Sequence, residues 1–232
     1  MNDTHLGITK PAALNRCFER LKKEDIDIIV HAGDYCGGRY AHKTLGLTIR
    51  MLRTIFPTIP IMTVLGNHDF YTKTPTQLSF NKNYELIKTI FKTHHIHFLD
   101  EDGIFRHQGI SIIGCSGWYH ERPDSNDWNF IPNDIEGDTH SYFQKRSYQL
   151  LDKNLSQLTD EDKFRIYVSH FPVIDCNPWD GNPHTGEILE KEFNIHFFIS
   201  GHSHARKNGP KHFRSRSDYY CPDYELLNII KT

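Results

Sequence analysis

The chain has 232 residues, 38% of them hydrophobic and 24% charged, a balance that suits a folded globular protein and excludes a disordered one. With 27 Lys and Arg against 29 Asp and Glu the formal net charge is −2, so bulk charge draws it neither to nucleic acid nor to an acidic membrane surface. No apolar run approaches the roughly 18 residues of a membrane helix. The opening residues do not read as a secretory signal, and the five cysteines (Cys17, Cys36, Cys115, Cys176 and Cys221) form no CxxC pair, so a reducing cytoplasm is the expected location.

No repeat or linker divides the chain, and one domain over residues 1–232 is expected. In chain order, residues 11–23 carry Leu14, Phe18 and Leu21 at helical spacing behind Pro11, and residues 26–30 form a β-branched run. A helical stripe follows at 45–55, a strand at 59–65, a helix at 84–91, a strand at 109–114 and a helix at 142–158. Strands at 164–168 and 195–199 and a weaker candidate at 225–230 complete the set. Alternating strands and helices predict an α/β domain with buried sheets. Residues 117–138 and 174–187 mix aromatics, Pro, Gly and polar groups and read as long irregular loops.

The chemistry lies where the strands end. The run at 26–30 leads into Gly33-Asp34, that at 59–65 into Gly66-Asn67-His68-Asp69, that at 164–168 into Ser169-His170, and that at 195–199 into Gly201-His202-Ser203-His204. Asp3-Thr4-His5 stands ahead of the first helix. The carboxyl ends of strands form the rim at which α/β sheets bind ligands. Carboxylate, imidazole and amide oxygen together are a donor set for divalent cations.

This ordered set resembles the calcineurin-like metallophosphoesterases. The resemblance implies a four-layer α/β/β/α sandwich of two facing mixed sheets with a dinuclear metal centre at their rim. It implies that Asp3, His5 and His204 hold one metal, that Asn67, His170 and His202 hold the other, and that Asp34 bridges both. Manganese comes first among the candidate ions, with Fe, Zn, Co or Ni compatible. By the same resemblance a metal-bridging hydroxide attacks a phosphomonoester or phosphodiester, His68 serves as general acid, and Asp69 orients its neighbours.

Two departures qualify the match. Only Met1-Asn2 precedes Asp3, where the family has a strand. A truncated first strand, with a natural start upstream of Met1, is one expectation; a frayed terminus with a weak first metal site is the other. Second, Gly33-Asp34-Tyr35-Cys36 and a motif ending in Asp69 differ from the protein Ser/Thr phosphatase pattern. A small phosphoester substrate is therefore expected, with a nuclease or a weakly active scaffold as alternatives. The basic stretch at 206–216 would favour a nucleic acid, although a solvated turn is its plainer reading. Trp118, Tyr119, Trp128 and Trp179 either wall the site or pin loops, with pinning favoured. His120, His140 and His184 read as surface residues and the cysteines as small buried hydrophobes, with Cys36, close to Asp34, a place where oxidation would matter.

Overall fold

Apolar strands too short to span more than one layer must be covered on both faces. A computed structural model of the chain, describing residues 1–6, 8–37, 41–70, 79–122, 135, 137–203 and 212–213, shows how. One sheet has the order β1 (Ile29–Ala32), β2 (Ile61–Val64), β3 (His97–Phe98), and the other β4 (Phe105–His107), β5 (Ile110–Gly114), β6 (Phe164–Val168), β7 (Phe197–Ile199), β8 (His212–Phe213). Helices α1 (Pro11–Leu21), α2 (Ala41–Ile55), α3 (Phe80–Thr93), α4 (Leu99–Asp102), α5 (Thr139–Leu155) and α6 (Pro183–Phe193) connect them.

Period-two alternation sorts the core. Ala32, Met62 and Val64 of the first sheet pack directly on Ile112, Ile166 and Val168 of the second. The intervening residues Ile113, Tyr167 and Phe198 turn outward onto Leu151 and Leu155 of α5 and Leu189 of α6. On the far side, Leu14 and Phe18 of α1, Ile49 and Leu52 of α2 and Phe91 of α3 cover Ile29 and Ile61. Helix, sheet, sheet, helix is the expected sandwich.

Several boundaries differ from expectation. The second sheet is mixed, since β4 runs antiparallel to β5, but the first is parallel throughout its described strands. Its strands are joined by helical crossovers, which carry the chain back to start a parallel neighbour. The first strand begins at Ile29, not 26, because the exposed Asp27 precedes its pairing with β2. Strands β3 and β4, of two and three residues, are too short to leave a periodic signature. Helix α6 starts inside the stretch expected to be irregular. Asn182 caps it, its side-chain oxygen accepting from the Thr185 N–H at 3.2 Å, and Pro183 occupies the first turn. Residues read as loop formers there begin a helix. The candidate strand at 225–230 lies outside the described residues.

Residues 1–6 are not frayed. The Ala32 N–H donates to Met1 O at 2.8 Å, Asp3 N–H to Gly33 O at 2.9 Å and His5 N–H to Asp34 O at 3.0 Å. This segment runs along the edge of β1 opposite β2, and both Asp3 and His5 are fully buried.

Candidate metal centre

Each described motif side chain leaves the end of a strand, or the segment 1–6 beside β1. Four of them do so with unusual backbone: Asp3 (φ 49°), His5 (φ 43°), Asp34 (φ 56°) and His202 (φ 70°) all occupy the left-handed region. Non-glycine residues rarely adopt it, and such strain concentrates at functional sites. Gly33 and Gly66 make the convergence possible. A Cβ on Gly33 would stand 2.6 Å from Gly66 N and 2.8 Å from His170 Nδ1, and one on Gly66 would run into the Asp34 carboxylate.

The side chains meet around Asp34. Its Oδ2 lies 3.7 Å from His5 Nε2 and 3.4 Å from His170 Nε2, while its Oδ1 accepts from the His68 N–H at 2.9 Å. His5 Nε2 is also 3.7 Å from Asp3 Oδ1. Ring tautomers follow from the other nitrogens. His170 Nδ1 is 2.8 Å from Ala32 O and His5 Nδ1 faces Cys36 O at 3.4 Å; a carbonyl only accepts, so Nδ1 carries the proton in each neutral ring. Both Nε2 lone pairs then face carboxylate oxygens, and His170 Nε2 also faces Asn67 Oδ1 at 3.0 Å.

Acceptors brought this close repel one another unless a cation lies between them. Two ligands on one ion, each at about 2.1 Å, stand roughly 3.0–3.4 Å apart. The donor set therefore fits divalent cations. Among the described residues, His5, Asp34 and His68 form one group of ligand atoms within 4.8 Å of one another, and Asp3, Asp34 and His170 form another. Asp34 is common to both, as a bridging position requires, but the groups set His5 beside His68 and Asp3 beside His170, and so cut across the ligand partition that the resemblance implies.

His202 enters differently from expectation. Its backbone N–H donates to both Asp3 carboxylate oxygens at 3.2 and 3.1 Å, and its ring stands 5.2 Å from that of His170. Its Nε2 lies 4.0 Å from Asp180 Oδ1. His204 lies outside the described residues, as do Trp128, Cys221 and most of the basic stretch at 206–216, where β8 occupies residues 212–213.

Asp69 is the clamp beneath the centre. Its carboxylate accepts from the N–H groups of Asp34, Tyr35 and Gly66, each at 2.9 Å, from Cys36 N–H at 3.3 Å and from the Cys36 thiol at 2.9 Å. One side chain thus fastens the turn after β1 to the turn after β2. Burial pushes its pKa up while these donors pull it down. Cys36 is fully buried, as the plainer reading of the cysteines expects; burial and the neighbouring Asp69 drive its thiol well above its ordinary pKa, so it serves as a hydrogen-bond donor.

Sequence reading passed over other supports. His31 is fully buried, its pKa driven well down by burial, and its ring stacks on Tyr35 at 3.8 Å. Buried Asp100 accepts from both the N–H and the hydroxyl of Ser116 at 2.7 Å. Ser116 in turn accepts from Leu65 N–H on Oγ and from His170 N–H on its carbonyl. Nothing in the local pattern marks Asp100 or Ser116, because the link spans two sheets. Trp118 and Tyr119 are buried against Phe143 and Phe171, as loop pinning predicts, and His120 and His184 are exposed.

A model of the calcineurin-like phosphoesterase family matches residues 1–206, a span that takes in every motif from Asp3 to His204. The chain belongs to the calcineurin-like phosphoesterase family. Its fold is similar to that of TT1561 from Thermus thermophilus, with a TM-score of 0.56 and 12% identity, covering 89% of this chain and 80% of that one. It is similar also to a dimetal phosphatase from Danio rerio, with a TM-score of 0.50 and 14% identity, covering 88% and 76%. At these identities the likeness is one of fold. No curated protein matches the sequence.

Proposed function

We propose that the chain is a metal-dependent hydrolase of small phosphoesters, with Asp34 shared between two cations. The observation that carries this reading is the convergence of His5 and His170 on one oxygen of Asp34, each ring turned so that its lone pair faces that oxygen. Asp3, His5 and His204 hold one ion in this reading, and Asn67, His170 and His202 the other. When bound, such a pair supplies Lewis acidity that offsets phosphoryl charge and makes a water acidic enough to ionise near neutral pH. Manganese is the first candidate, with Fe, Zn, Co or Ni compatible with the same donors.

The chain's own residues do the rest. His68 is half-buried, with its ring edge-on to His5 at 4.8 Å and its backbone held by Asp34, so it lies beside the centre yet remains open to solvent. That placement suits a proton donor to the departing oxygen, which would otherwise leave as an alkoxide. The Asp3 carboxylate fixes the His202 loop by accepting from its N–H, and Asn67 Oδ1 stands beside the His170 Nε2 lone pair as a second candidate ligand for the same ion.

The test compares aryl mono- and diesters, cyclic nucleotides and oligonucleotides with added manganese, alongside metal analysis. His68→Ala should keep its metal and lose roughly 10²- to 10⁴-fold in kcat, whereas Asp34→Asn should lose metal as well. Full turnover by His68→Ala, or wild-type protein that takes up no metal, refutes the reading.

A further inference from the structure

We propose that Trp179 is a stacking platform for the leaving group, which makes the favoured substrates phosphoesters bearing a flat aromatic ring. The inference rests on the reading of the centre as a phosphoester hydrolase and names the substrate class of that same site.

Trp179 is 54% exposed, whereas Trp118 and Tyr119, from the other irregular stretch, are buried. Among the described residues it stacks on no other ring. Its neighbour Asp180 lies 4.0 Å from His202 Nε2, so the indole is attached one peptide unit from a side chain that reaches His202.

The backbone carrying it is fixed on three sides. The N–H groups of His120 and Glu121 donate to Pro178 O at 3.0 and 2.9 Å, and His120 N–H also bonds Gly181 O at 2.8 Å. Asp180 and Gly181 N–H both return to Asn177 O, and Asn182 N–H reaches Pro172 O at 2.8 Å. A turn tied down this firmly holds an exposed indole without burying it. Tyr119 and Phe171, next to the residues that anchor this turn, pack against the His202 ring at 5.2 and 4.6 Å, which ties the turn to His202. An exposed aromatic face gains energy by covering a flat ring and gains little from an alkyl group of the same charge.

Two sources of such a ring are separable: an aryl group directly on phosphorus, or a nucleobase one ribose away. With the metal-loaded full chain, calorimetry would compare phenylphosphonate with methylphosphonate, and turnover would compare AMP with ribose 5-phosphate. Wild type should favour the ring-bearing member of at least one pair about tenfold; which pair shows it identifies the source. Trp179→Ala should reduce that preference to within twofold, and Trp179→Phe should keep most of it. The affinity for methylphosphonate should be equal in all three proteins, which also shows that the variants are folded.

A preference that survives Trp179→Ala, its absence from both pairs in wild type, or equal losses on ring-bearing and ring-free ligands overturns the platform while leaving the hydrolase reading intact. Failure of metal-loaded wild type to bind any of these phosphorus compounds overturns the hydrolase reading, and the platform with it.

Discussion

Asp69 carries more of the site than its conservative appearance in Gly66-Asn67-His68-Asp69 suggests. Four backbone N–H groups and a thiol converge on one buried carboxylate, and each buried donor left without an acceptor costs about 1–3 kcal/mol. Asp69→Asn keeps the shape but turns an NH₂ group toward donors. It should destabilise the metal-free protein by about 3 kcal/mol in urea unfolding; a loss below about 1 kcal/mol would show that the clamp is dispensable. The motif made Asp69 and its orienting role visible, but not its partners, which are main-chain groups that any residue would supply. The left-handed backbone at Asp3, His5, Asp34 and His202 was equally hidden, since none of the four is glycine.

Between elements, two polar ties hold the layers in register. Arg53, near the end of α2, donates to the carbonyls of His94 at 2.8 Å, His95 at 2.6 Å and Ile59 at 2.7 Å, gathering the ends of α2 and α3 and the approach to β2. Arg53→Ala should cost about 2–3 kcal/mol of unfolding free energy; an unchanged urea midpoint would mean that water replaces it. The second tie is Asp100, pushed up to about 6 by burial against the pull of Ser116. Because the folded protein holds this proton more tightly than the unfolded chain, the stabilising contribution is complete below pH ~4 and is lost as pH rises through 6. Asp100→Asn should therefore flatten the fall in stability between about pH 4 and 7, seen as a difference from wild type in denaturation midpoints. Parallel slopes for the two proteins would refute it. Strands β1, β2, β5 and β6 were legible because buried runs bounded by Gly and Asp have few other uses. Strand β3 and helix α4 were not, being only two and four residues long.

Across the described residues, the two sheets pack through a layer of apolar side chains, while their shared rim gathers carboxylates and imidazoles into a buried space. Such a rim is costly without cations, so metal removal should be felt globally. Ions binding only the folded chain add about 2.7 kcal/mol each at a hundredfold excess over Kd. Chelation should accordingly lower Tm by several degrees, and returning manganese should restore it. An identical melting curve with and without chelator would contradict the centre itself. The order of the motifs revealed this convergence, because Asp34, Asn67, His170 and His202 each follow a recognisable strand. The packing that surrounds it came only with the fold.

The bond from His202 N–H to the Asp3 carboxylate joins residues 199 positions apart. During synthesis, the Asp3 segment therefore emerges long before the segment that completes its hydrogen bonding leaves the ribosome. Contacts of such high sequence separation form slowly, after most loop-closure entropy has been overcome. The site in this chain is complete only when the segment after β7 closes on the segment before α1.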